Sequence, residues 1–114
     1  MTMFDLLHQN ALSDTDLLRT NDKLRDTFTI AREVDFAFET GNGQRADDFA
    51  EYVKGKSYGT AAVSNLTDGH FRVLVVITMP ITQQLIGCVS GFMLCLSRLF
   101  QIDYLGWGSV IQTP

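Results

Sequence analysis

Arg32-Glu33-Val34-Asp35-Phe36-Ala37-Phe38-Glu39-Thr40 alternates along its length. Val34, Phe36 and Phe38 share one face and Glu33, Asp35, Ala37 and Glu39 the other, the period of two expected of a half-buried strand. Gly41-Asn42-Gly43 ends it. The next stretch, Gln44 to Lys54, repeats Ala46, Phe49, Ala50 and Val53 at helical spacing, and Gly55 suits a left-handed residue beyond the last turn. A short strand from Tyr58 to Ser64 and a stronger one from Phe71 to Met79 flank Asp68-Gly69, a hairpin signal. Pro80 stops the second of these. Thr82 is placed to cap a helix that reaches Phe100 through Leu85, Ile86, Val89, Phe92, Met93 and Leu96. A final strand, Ile102 to Gln112, is interrupted at Gly106 and Gly108, where a bulge is expected.

Upstream of Arg32 the chain reads as helical. Thr2 to Ala11 is weakly so, Ser13 offers an N-cap, and Asp14 to Thr27 presents Leu17, Leu18, Asn21, Leu24 and Phe28 as an apolar side, with Asp14 and the other charges mostly elsewhere. The order is therefore helix, then β-α-β-β-α-β. That is an α+β, ferredoxin-like arrangement, with an antiparallel four-stranded sheet carrying both later helices on one face. Arg32–Thr40 and Phe71–Met79 should be its adjacent, antiparallel, central strands. On the second face, Leu74 and Val76 would lie beside Asp35 and Ala37. This apolar strip bordered by acids calls for a cover, either the N-terminal helix or a second protein.

The chain has 114 residues, of which 46% are hydrophobic and 19% charged. This suits one domain over 1–114, with a helical segment at 1–30 and a ferredoxin-like core at 31–114. The formal charge is −4 and the pI about 4.9, which argues against direct binding of nucleic acid, where Lys and Arg must neutralise phosphates. The acidity is N-terminal, since residues 1–51 hold 11 acids and 5 bases whereas 52–114 hold 2 and 4. Arg72 and Arg98 bracket a stretch without charge, but Thr78, Pro80, Thr82, Gln83 and Gln84 divide it, so no membrane span is expected. The N-terminus carries Asp5 where a secretory signal would be basic, and we expect a cytoplasmic protein.

No catalytic constellation emerges. Gly41-Asn42-Gly43-Gln44-Arg45-Ala46 matches G-x-G-x-x-A between a strand and a helix, but the following strand looks like a hairpin arm rather than the parallel partner that a dinucleotide site needs. His8 and His70 have no acid and nucleophile in their sequence context. Cys88 and Cys95, seven apart on one helix, cannot bridge each other and form no metal pattern; buried thiols are expected. We anticipate no cofactor and no metal. Asp47, Asp48 and Glu51 make an acidic helix start that complements the helix dipole or contacts a basic partner. Gly87 and Gly91 flatten a strip of the long helix for packing on the sheet or for a subunit contact.

Two segments carry a resemblance. Arg32-Glu33-Val34-Asp35-Phe36-Ala37-Phe38 resembles the opening strand of the regulator of ribonuclease E activity B family. Ile102-Asp103-Tyr104-Leu105-Gly106-Trp107-Gly108 resembles its closing Y-D-G-W-G signature, with Leu105 at the aspartate position. The Ala46-Asp47-Asp48-Phe49-Ala50-Glu51 helix and the Thr78-Met79-Pro80 break extend the similarity over about residues 14–112. The resemblance implies a non-enzymatic regulator that contacts the endoribonuclease starting bacterial messenger-RNA decay and lowers its activity. An Arg-rich, disordered segment of that nuclease would suit an acidic surface, with Asp35, Glu39, Asp47, Asp48 and Glu51 as candidate contacts. Asp103, Tyr104, Gly106, Trp107 and Gly108 carry over as the family motif, and Trp107 should be buried and structural. A different class is a small dimeric ligand binder or cofactor-independent, monooxygenase-like enzyme, with a pocket near Trp107, Tyr104 and His70. The apolar surface of Leu74, Val76, Leu94, Gly87 and Gly91, with the Leu17, Leu18 and Leu24 stripe, points to a homodimer or to cover by the N-terminal helix.

Overall fold

In a computed structural model describing residues 1–113, strand β1 (Arg32–Thr40) lies between β3 (Phe71–Met79) and β4 (Asp103–Ser109), with β2 (Thr60–Asn65) at the far edge. The sheet order is β2-β3-β1-β4 and every pairing is antiparallel. This is the ferredoxin-like α+β order. The central pair is in register from Arg32 opposite Met79 to Thr40 opposite Phe71, with Phe36 facing Val75 and Phe38 facing Val73. Because β2 runs antiparallel to β3, the Gly41–Ala46 match opens no dinucleotide unit.

Among the described residues there are three α-helices, α1 (Met3–Lys23), α2 (Gly43–Gly55) and α3 (Gln83–Leu99), and a single 3-10 turn at Thr67–Gly69. Asn42 starts α2, its side-chain oxygen accepting from the backbone N–H groups of Gln44 and Arg45, which satisfies donors with no partner inside the helix. Gly43 has a packing reason, since a Cβ there would stand 3.0 Å from the Phe71 ring. The core between the sheet and these helices is filled: Val34, Phe36, Phe38, Phe49, Val53, Val73, Val75, Ile81 and Ile86 are fully buried, and the Phe38 and Phe49 rings lie 4.5 Å apart. Each such side chain contributes on the order of 1.5–3 kcal/mol by leaving water.

Several local expectations change. α1 is a single helix that runs through Ser13, begun by a reciprocal capping box between Thr2 and Asp5. It ends at Lys23, where Arg25 turns left-handed with φ 64°, and this reversal leaves Leu24 59% exposed. Asp14, placed off the apolar side by the sequence reading, is buried there with Leu18 and Asn21. The left-handed residue after α2 is Ser57 rather than Gly55, which stays helical. Thr82 occupies the N-cap of α3 without a side-chain bond. Cys88 is exposed and Cys95 half-buried, because α3 turns that side away from the core. The apolar stripe of α3 is likewise wider than its buried part, with Leu85 and Phe92 both exposed.

α1 does not cover the second sheet face. It packs along α3, where Leu7 comes within 3.8 Å of a Cβ built on Gly91, so the glycine strip faces α1 and not the sheet. The expected bulge is present: the β1–β4 register shifts between Ala37 and Phe38, opposite Gly106 and Tyr104, leaving Leu105 as the extra residue. Gly106, at φ 112°, has a backbone conformation that side chains disfavour. The bulge turns both Tyr104 and Trp107 onto the core face, beside Phe38 and Phe36.

Among the described residues no helix is long and apolar enough to cross a membrane, and no group of three metal-ligating side chains could hold an ion.

Candidate functional site

The signature residues meet α1 in a buried polar cluster. Trp107, 8% exposed, donates its indole N–H to Asp14 Oδ1 at 3.0 Å, and Ser90 Oγ donates to the same oxygen at 3.0 Å. Ser90 has thereby spent its only proton. The 2.8 Å contact between Ser90 Oγ and the Tyr104 hydroxyl therefore has Tyr104 as donor, and Asn10 Nδ2 fills the remaining lone pair at 3.1 Å. Each partner comes from a different place: Asn10 and Asp14 one turn apart on α1, Ser90 on α3, and Tyr104 and Trp107 on either side of the bulge in β4.

Burial pushes the Asp14 carboxyl above the usual aspartate range, against the pull of the Ser90 and Trp107 hydrogen bonds. Burial also raises the Tyr104 hydroxyl well above its ordinary value, so it remains a proton donor at neutral pH. A cleft of about 340 Å³ opens between α1 and β4, lined by residues including Leu6, Asn10, Asp14, Tyr104 and Trp107. It lies outside the filled space behind the sheet, and His70, exposed in the β2–β3 connection, does not line it. Ser90 is fully buried with its hydroxyl saturated, so it cannot serve as a nucleophile. The cluster is a clasp that holds a helix.

A second buried pair secures the other end of β1. Arg32 Nη1 lies 2.7 Å from both Asp26 carboxylate oxygens, with both side chains almost completely buried. Nε donates to the Ile30 carbonyl and Nη2 to that of Thr27, and Nη1 also lies 3.2 Å from the Val110 carbonyl, while Asp26 also accepts from Asn21 and from the Gln112 backbone. Buried charge is tolerated here because every group has a partner.

The candidate partner-binding acids fall on two surfaces. Asp35 and Glu39 project from the open face of the sheet, together with Glu33 and, from β4, Asp103 opposite Glu39. Arg72 answers only one of them, pairing with Glu39 at 2.7 Å. Between these charges lie Ala37 and Leu74, directly paired, and Val76 opposite Asp35. Gly106 and Gly108 face Ala37 and Asp35 from β4, and a Cβ built on either glycine would meet no atom within 4 Å. Asp47, Asp48 and Glu51 instead lie exposed on the outer side of α2, across the sheet, with Asp48 accepting from Gln44 and Glu51 near Lys54.

Sequence reasoning missed Asp14. The signal was present in the 14, 17, 18, 21 spacing, which puts a carboxylate in line with Leu17, Leu18 and Asn21 on the buried side of α1.

A ferredoxin-like sheet, one face packed by helices and the other bare, with an N-terminal helix clasped to its edge by the closing-strand tyrosine and tryptophan, defines an α+β domain of one recognisable type. The chain belongs to the family described as Regulator of ribonuclease activity B, whose profile matches residues 13–109. The match takes in Asp14, the Arg32 strand and the Trp107 signature. No curated protein matches the chain.

Proposed function

We propose that the protein regulates a ribonuclease by direct contact, without catalysis of its own, and that the open sheet face is the contact surface. The supporting observation is the make-up of that face: Glu33, Asp35, Glu39 and Asp103 against the single base Arg72, around a half-buried apolar centre of Ala37, Leu74 and Val76 that no helix among the described residues covers. Such a surface suits a basic segment with interspersed apolar residues. The acids steer the encounter and the apolar strip, once buried, supplies retention. The smooth β4 edge at Gly106 and Gly108 lets a second backbone approach closely. Family membership makes a ribonuclease the first partner to test, and an Arg-rich segment of ribonuclease E is the specific one we infer. Asp47, Asp48 and Glu51 on α2 offer a separate contact for a basic chain long enough to pass round the edge.

The test is binding and nuclease inhibition with two charge-reversal variants. Asp35→Lys with Glu33→Lys should weaken binding at least tenfold and flatten its dependence on salt, while Asp47→Lys with Asp48→Lys has a smaller effect. Equal binding by the first variant would remove the sheet face from the proposal. Loss confined to the second would move the contact to α2.

A further inference from the structure

α3 carries a third stripe, used neither by the core nor by α1. Leu85, Cys88, Phe92, Cys95 and Leu99 recur at alternating intervals of three and four residues, the spacing of a seam between two packed helices. At 3.6 residues per turn this stripe lies roughly 110° round the helix from the side that Gly87, Gly91 and Leu94 turn to α1. Leu85, Phe92 and Leu99 are 46%, 42% and 80% exposed, and Cys88 is exposed as well. Phe92 stands edge-on to Tyr58 with ring centres 5.2 Å apart. The two rings help to wall an almost wholly apolar groove of about 440 Å³ floored by Ile77 and Met93. A helix apolar on every side is ordinarily covered on every side.

We propose that this seam is a two-fold interface with a second copy of the chain, α3 lying antiparallel on α3 with Phe92 at the axis and each ring seated against the other copy's groove. Charge favours this occupant. Two copies of a protein of net charge −4 repel, yet residues 83–99 contain no acid and only Arg98 as a base, so here two copies can meet without opposing carboxylates. A basic partner would find nothing on the seam to attract it. The stripe is also self-complementary, as a two-fold contact must be: from Phe92 outward it has Leu at seven residues in both directions and Cys at four in one and three in the other. The seam spans about 21 Å at 1.5 Å per residue, and because a specific contact needs roughly 1,000 Å² in all, a narrow seam of this length must enlist the groove as well. A dimer that dissociates on dilution follows. The seam lies on the opposite side of the sheet from the proposed ribonuclease surface, so the two contacts are independent.

The antiparallel arrangement puts Cys88 of one copy beside Cys95 of the other and keeps like cysteines apart. The experiment is cross-linking with a short bis-maleimide, using Cys88→Ser, Cys95→Ser and an equimolar mixture of the two, alongside light scattering of the parent over a dilution series. The expected result is cross-linked dimer from the parent and the mixture but not from either variant alone. Leu99→Glu, at a position too exposed to disturb folding, should shift the mass to monomer with an unchanged thermal midpoint. Cross-linking of either single variant by itself, or a dimer indifferent to Leu99→Glu, would overturn the antiparallel seam. A monomer mass at every concentration would overturn the dimer and leave the stripe to an apolar helix of another protein.

Discussion

Trp107 and Asp14 are separated by 93 residues of chain and joined by one hydrogen bond of 3.0 Å. Through it the closing strand holds the N-terminal helix. The bond lies in a buried setting, where a donor or acceptor left alone costs more than the bond itself gains, and both consequences can be measured.

Replacing Trp107 separates packing from hydrogen bonding. Trp107→Ala should cost about 3–5 kcal/mol in urea unfolding, the range for removing a large buried ring. Trp107→Phe keeps most of the apolar contact but strips Asp14 of a donor, for a loss of about 1–3 kcal/mol. A Phe variant as stable as the parent would show that the N–H contributes nothing beyond the ring, and one as unstable as the Ala variant that the ring contributes nothing beyond the N–H.

Asp14 should leave a signature in the pH dependence of stability. Its carboxyl is raised above the ordinary 3.8 chiefly by burial, so the folded chain holds a proton where the unfolded chain has already released it. The Asp14 contribution is therefore complete below that ordinary value and is lost as pH rises through the higher folded value. Asp14→Asn cannot titrate. The stability of the parent relative to this variant should fall as pH rises across that window, and parallel stability curves would refute the assignment.

The Asp26–Arg32 pair predicts a strongly non-additive cycle. Asp26→Ala or Arg32→Ala alone leaves an unpaired buried charge and should cost about 3–5 kcal/mol. Asp26→Leu with Arg32→Met removes both charges and should cost less than the two single losses combined, as read by chemical denaturation. Additive losses would mean that the carbonyl contacts of Arg32, rather than its ion pair, carry the effect.

Gly106 and Gly108 should respond differently to the same change. Gly106→Ala forces a side chain into φ 112° and should cost about 1–3 kcal/mol. Gly108 has an ordinary φ and open space at its Cβ, so Gly108→Ala should be nearly neutral for folding. Thermal midpoints of the two variants check the contrast, and equal losses would contradict it.

By itself the sequence determined the strands and their order. A period of two in Val34, Phe36 and Phe38 and in Val73, Val75 and Ile77 can be satisfied only by strands with one buried face, and Gly41-Asn42-Gly43, Asp68-Gly69 and Pro80 punctuate the chain where regular hydrogen bonding must stop. Six regular elements in that order leave few compact topologies, so the central β1–β3 pair was legible. The signature motif and the family were legible too, because they lie in contiguous residues. What the tertiary structure decided are relations between distant segments. α1 could have covered either the sheet or α3, since its Leu17 and Leu18 stripe fits any apolar surface, and only the buried partners of Asp14 select α3 and the β4 edge. That choice left the acidic sheet face bare. It also sent Asp35 and Glu39 to one side of the molecule and Asp47, Asp48 and Glu51 to the other, a division invisible to charge counting because strand alternation and helix rotation set direction only once the layers are stacked. The exposure of the Leu85–Leu99 stripe was hidden for the same reason: an apolar side chain in sequence does not say which of a helix's sides the rest of the chain will reach.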